Sequence, residues 1–294
     1  MITRRNFVSY SALALASQTG GTAAPSSLLE QVRSGQKIEG VDIVDAHTQF
    51  MKRPADLFWP RNVEALMADA ERCGVGQIIA SHPDAYMATS GDQIKAAHDE
   101  AVESAAKYPK RLRLYLVFHP RQVQTSVAEM RRLLEPGSPF VGFKIHGSLS
   151  HYASNGPNCH PCYEFANEHS LPVLLHPWGQ LEGIAAIVKG YPRMKLTLAH
   201  MGFLPEGLGA LLKENPNLAV DTCGSTSSYR LLERLVREAG AEKILYGSDA
   251  TYLAFGPQIA KIAFAHISED EKRLVLGGNA RRIFGNRLAP APLA

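Results

Sequence analysis

No stretch of these 294 residues stays apolar for the roughly twenty positions that a membrane-spanning helix needs. Charge of one sign is missing too: Lys and Arg total 31 against 28 Asp and Glu, a formal +3. Arg4 and Arg5 fall in an N-terminal leader without acids, so the remainder carries 29 minus 28, or +1. That balance excludes the basic footprint of a nucleic-acid binder or of a protein that docks on acidic lipid. Cysteine is sparse at four residues. Cys159-His160-Pro161-Cys162 is a CxxC without a second pair or a thioredoxin-like setting. It is left as a local disulfide or two ordinary thiols. Cys73 and Cys223 have no clear base beside them and make no case as nucleophiles. A glycine-rich GxGxxG turn is absent after the first strand, which removes a dinucleotide site. There is no internal repeat beyond a strand–helix unit and no low-complexity tract.

What is present begins with Thr3-Arg4-Arg5-Asn6-Phe7-Val8. A weakly apolar segment and the small residues 20–24 follow. This order looks like a twin-arginine export signal over 1–24, which would place the mature chain in the periplasm or outside the cell; without such a signal the chain stays cytoplasmic. Residues 25–39 read as a linker and the Pro/Ala-rich 288–294 as a frayed tail. Between them, 40–287 has the usual size of one (β/α)8 barrel. Strands are predicted at 41–46, 76–80, 112–118, 140–145, 172–175, 195–199, 218–222 and 243–247. Their continuously apolar runs fit strands covered on both faces. Helix-length segments at 63–73, 92–107, 126–134 and 229–239 repeat apolar residues every three or four positions. Ser268 reads as a helix N-cap, and Gly277-Gly278 as a break before a last short helix. Strict alternation predicts the α/β class, as a single-domain (β/α)8 TIM barrel.

In such a barrel the C-terminal strand ends converge on the active site. Here they carry the polar groups: His47, His119, His146, His176, His200 and Asp249 close their apolar runs, and His82 lies just past another. Any one of these histidines is equally well explained as a hydrogen-bonded core residue; the set together points to an enzyme. Lys144 reads as a pocket cation, pairing with Asp249 or a substrate carboxylate, because a buried Lys without such a partner is costly. Phe58, Trp59 and Arg61 in the first βα loop, and Trp178 after His176, are placed to clamp a planar substrate. Packing of the loop explains the aromatics as well.

The set Asp45-Ala46-His47-Thr48-Gln49, Gly142-Phe143-Lys144-Ile145-His146, LLHPWG, LAHMG and GSDAT, with GGNARRIFG near the end, resembles the amidohydrolase-related branch of the amidohydrolase superfamily. That branch includes aminocarboxymuconate-semialdehyde decarboxylase-like and lactonase-like proteins. The resemblance runs over 41–285. It implies one divalent metal, zinc or manganese, held by His47, His176, Asp249 and, weakly, Gln49. Gln49 stands where the family carries a second His, and its neutral amide oxygen is a poor partner for zinc. A metal-free site therefore also stays open. By the same resemblance Asp249 shuttles the proton and His200 stabilises charge on a carbonyl oxygen. Lys144, His146, Arg61, Trp178 and His119 then contact a small-molecule substrate. The activity implied first is hydrolysis of a lactone, ester or amide by activated water. Its alternatives are non-oxidative decarboxylation of an aromatic or unsaturated acid, and a degenerate barrel that only binds. Neither nucleic acid nor membrane is expected as a partner; a homodimer fits the branch.

Overall fold

The computed structural model describes residues 27–51, 62–203, 206–224 and 228–289. The proposed export signal, Phe58, Trp59, Arg61 and the last five residues lie outside them. Eight parallel strands run in sequence order: β1 (Ile43–Gln49), β2 (Val75–Ser81), β3 (Leu112–Val117), β4 (Phe140–His146), β5 (Pro172–His176), β6 (Lys195–Leu198), β7 (Leu218–Asp221) and β8 (Ile244–Leu245). The ring closes where Ala46 N donates to Tyr246 O (2.9 Å), Asp249 N to His47 O (2.8 Å) and Gln49 N to Ala250 O (2.6 Å). This is the expected (β/α)8 barrel. Among the described residues no helix is long and apolar enough to cross a membrane.

Side chains alternate across each strand. On β5, Val173 and Leu175 join the layer under the helices, whereas Leu174 faces the barrel interior with Val44, Ile79, Tyr115, Ala219 and Leu245. The same parity carries the next inward positions, His176 on β5 and Asp221 on β7, to the mouth. Below, Phe284 and Leu288 close the other end of the interior.

Several boundaries differ from expectation for identifiable reasons. β8 is shorter than 243–247 because Tyr246 N leaves the sheet and donates to Val275 O (2.8 Å). The linker contains a helix, Leu28–Ser34, fixed by a capping box between Ser27 and Glu30 and ended by Gly35 in the left-handed region. Gly277-Gly278 does not break the chain: a π turn, Leu274–Gly278, joins Glu269–Arg273 to Asn279–Phe284. It presses so closely on β1 that a Cβ at Gly277 would lie 1.9 Å from Asp42 O. The tail's first residues are docked, with Leu288 and Ala289 buried. Gln77 Nε2 donates to Ala289 O (2.8 Å), and Ala289 N returns a bond to Gln77 Oε1 (3.1 Å). Cys159 and Cys162 are buried free thiols, not a disulfide.

Candidate active site

Asp221 organises the mouth. Fully buried at the end of β7, it accepts His47 Nδ1–H on Oδ2 (2.8 Å). Its Oδ1 takes His200 N (2.8 Å) and Cys223 N (3.1 Å). Burial alone would raise this carboxyl, but the adjacent His47 and its hydrogen bond, with His200 and Cys223, hold it well below the usual carboxylate range. With Nδ1 engaged, His47 presents Nε2 to the pocket. Such a carboxylate–imidazole pair orients a metal ligand and fixes its tautomer.

His47 Nε2 lies 3.7 Å from Asp249 Oδ1 and accepts from Lys144 Nζ at 2.9 Å. Lys144 therefore bonds His47 rather than forming the expected direct pair with Asp249. Burial pushes its ammonium below the ordinary value, against the opposing charges of Cys223, Asp221 and Asp249. Gln49 Nε2 donates to Asp249 Oδ1 (3.0 Å), while its buried Oε1 has no hydrogen-bond partner among the described residues. His200 and Asp249 both occupy the left-handed backbone region, with φ of 56° and 61°. That conformation costs about 1–3 kcal/mol at each non-glycine residue and is typical of functional positions.

The donor atoms of His47, His200, Cys223 and Asp249 lie within 4.8 Å of one another. A divalent ion fits this cluster: it offers imidazole, carboxylate and thiol groups beside the orphaned Gln49 oxygen, the Cys223 thiol being pushed up by burial and by Asp221 and Asp249. His176 is outside the set. It stacks on His146 (centroids 3.9 Å apart) and receives Ser148 Oγ on Nδ1 (3.2 Å). Burial and neighbouring cationic groups lower the pKa of both rings, and burial with His47 lowers His200 to about 4. These imidazoles are neutral at pH 7.

The wall above the donors is aromatic. Phe203 stacks on His200 (5.2 Å, 19° between planes) and meets His176 at 4.9 Å. Tyr86 lies 4.9 Å from His146. Trp178 stands on the exposed rim, its backbone N donating to Ser154 Oγ (2.9 Å). His119 belongs to a turn instead: its Nδ1 accepts Arg121 N (3.2 Å) and its own N donates to Ser126 Oγ (3.0 Å). His82 pairs with Glu100 (3.1 Å) beside β2, away from the donor cluster. Arg61 lies outside the described residues.

The sequence reading missed Asp221, Cys223 and Phe203 as site residues. Asp221 was accessible from parity, two positions beyond inward-facing Ala219 and at the end of an apolar run. Cys223 and Phe203 follow their strands in turns whose conformation no periodicity encodes.

Residues 44–286 match the protein family described as Amidohydrolase. Gamma-resorcylate decarboxylase of Polaromonas sp. (strain JS666 / ATCC BAA-500) is 22% identical, over 66% of this chain and 77% of that protein. Among solved structures, 5-carboxyvanillate decarboxylase from Sphingomonas paucimobilis superposes with a TM-score of 0.66 at 18% identity, covering 83% of this chain and 99% of that one. Dihydroxybenzoic acid decarboxylase from Polaromonas sp. JS666, with bound manganese and the inhibitor 2-nitroresorcinol, gives 0.65 at 17%, covering 83% and 97%.

Proposed function

Because the chain belongs to the amidohydrolase family over residues 44–286, we propose that it is a metal-dependent, non-oxidative decarboxylase of an aromatic carboxylic acid. The observation that carries this reading is the juxtaposition in the pocket. A polar floor of His47, His200, Asp249 and Lys144 lies beside two stacked ring pairs, His200–Phe203 and His146–His176, which stand at 71° to one another where His176 meets His200. A flat ring bearing a carboxylate matches both halves. The relatives named above, which are decarboxylases, support this reaction over the lactone, ester or amide hydrolysis expected first from the motif order.

His47, His200 and Asp249 are the residues assigned here to one divalent ion, which when bound would polarise the substrate's carboxylate and an adjacent oxygen. The remaining chemistry belongs to the chain. Lys144, bonded to His47 Nε2, would release that nitrogen to the ion and turn its cation to the substrate carboxylate, while Asp221 keeps His47 in one tautomer. The floor, where His47 and Lys144 are buried, favours loss of a charged carboxylate as neutral carbon dioxide. The Asp249 carboxyl, only partly buried at 16% side-chain exposure, delivers a proton to the ring carbon that bears the carboxylate. The C–C bond then breaks, its electron pair returns to the ring, and Asp249 regains a proton from solvent.

The test is carbon dioxide release from a panel of hydroxybenzoates and carboxyvanillate, run beside a panel of lactones, with the divalent ion supplied. Carbon dioxide and the matching phenol are expected from at least one acid. Asp249→Asn should lower the rate by about 10²–10⁴-fold, the usual worth of a positioned proton donor. Lactone hydrolysis without carbon dioxide release would overturn the reading.

A further inference from the structure

We propose that Cys223 is itself a ligand of the divalent ion, making the centre an imidazole–thiolate–carboxylate site selective for zinc-like over manganese-like ions. This rests on the metal-dependent reading above and adds a donor to it. A buried cysteine is commonly a small apolar filler, but the surroundings of this one are polar. Cys223 Sγ lies 3.3 Å from His200 Nδ1, in the group completed by His47 and Asp249, and its 2.9 Å contact with His47 is to Nδ1, the nitrogen that Asp221 holds, so the thiol reaches the ion beside His200. Bonds of about 2.0–2.3 Å in a tetrahedral centre set neighbouring donors ~3.5 Å apart. The 3.3 Å from Sγ to His200 Nδ1 and the 3.7 Å from His47 Nε2 to Asp249 Oδ1 bracket that spacing.

The thiol is also held in place. Its own N donates to Asp221 Oδ1, and Lys261 Nζ donates to the carbonyls on either side, Thr222 O (2.9 Å) and Gly224 O (3.3 Å). Gly224, with φ of 90°, leaves the space His200 needs, since a Cβ there would lie 2.2 Å from His200 Nδ1. Gln49 is the independent second observation. Its buried Oε1 has no hydrogen-bond partner among the described residues, and its Nε2 bonds Asp249. A weak amide donor thus sits on β1 while a thiol, which on binding the ion would lose its proton and become a strong thiolate donor, enters from the β7 end. Thiolate shifts preference toward zinc and away from hard, oxygen-seeking manganese.

The experiment loads the metal-free full-length protein with cobalt(II) and reads its absorption, with Cys223→Ser in parallel. One cobalt per chain with a thiolate-to-cobalt charge-transfer band in the near ultraviolet is expected. Cys223→Ser should lose the band, and its zinc affinity should fall by more than the roughly 10–100-fold that loss of an outer partner costs. If the variant does not fold, zinc-edge X-ray absorption of the wild-type protein replaces it, with one sulfur neighbour expected. One bound cobalt without the band, or zinc without a sulfur neighbour, overturns the Cys223 assignment and leaves the decarboxylase reading standing. A folded protein that binds no cobalt overturns both. The band together with a failed carbon dioxide assay sustains the ligand and sinks only the reaction.

Discussion

Asp221 is the residue on which the mouth depends most, although it is fully buried beneath the donor groups. One carboxylate sets the His47 tautomer, pins the backbone of His200 in its left-handed turn and pins that of Cys223. Asp221→Asn retains the shape but offers an amide where Nδ1–H needs an acceptor, or swaps that acceptor for one of the two backbone bonds. Metal affinity should fall by about 10–100-fold, the range for outer partners, with the fold kept. Isothermal titration with zinc, paired with circular dichroism, checks both halves; unchanged affinity would show that His47 needs no orienting carboxylate. Much of this chemistry was readable residue by residue, because His47, His200 and Asp249 close apolar runs. Gln49 was visible as a departure, whereas the Cys223 turn was not. Lys144 was read as a pocket cation, but its partner, His47, comes from strand packing that spacing alone cannot give.

At the scale of elements, the helices behind β3 carry a second buried polar cluster that serves stability. His98 on Gly91–Ala106 accepts Val117 N from the end of β3 (3.2 Å) and donates to Glu129 Oε2 on Val123–Leu133 (3.0 Å). Arg132 Nη2 closes on the same oxygen at 2.6 Å. Burial would raise Glu129, but the bonds from His98 and Arg132 outweigh it and lower this carboxyl to about 2. A carboxyl depressed in the folded state stabilises it above the unfolded pKa, and that contribution disappears as pH falls toward the folded value. Glu129→Gln should therefore cost on the order of 3 kcal/mol at pH 7. The difference from wild type should shrink as pH falls from about 4.5 toward 2. Urea unfolding over that pH range measures it; a pH-independent difference would make the loss one of packing.

Across the whole molecule, stability and chemistry occupy opposite ends of the barrel, as the fold prescribes. Phe284 and Leu288 fill the lower interior, with the Gln77–Ala289 pair sealing the chain's return. Phe284→Ala should destabilise the protein by about 3–5 kcal/mol and leave the cobalt spectrum unchanged. Denaturant melts and absorption of one preparation would show it, and a changed spectrum would mean that the two ends are coupled.

The alternation of strand and helix, and hence the barrel, was legible because eight apolar runs at regular spacing admit few other architectures. The short β8, the helix at Leu28–Ser34 and the docked Leu288–Ala289 were not. Each depends on a partner distant in sequence or on a local cap read as polar linker: Val275 for Tyr246, the Ser27 box for the helix, Gln77 for Ala289. Reaction type is ambiguous in the motifs for a related reason, since hydrolysis and decarboxylation would both draw on His47, His200 and Asp249. They differ in what faces those groups, and the ring wall includes Phe203, which lies in a turn.

The most direct test of decarboxylation is product analysis in heavy water, with the metal-loaded chain and a hydroxybenzoate that it consumes. Proton delivery by Asp249 gives one carbon dioxide per turnover and a phenol carrying one deuterium on the carbon that lost the carboxylate. A product that keeps its carboxylate and gains an oxygen from water would contradict it and return the site to hydrolysis.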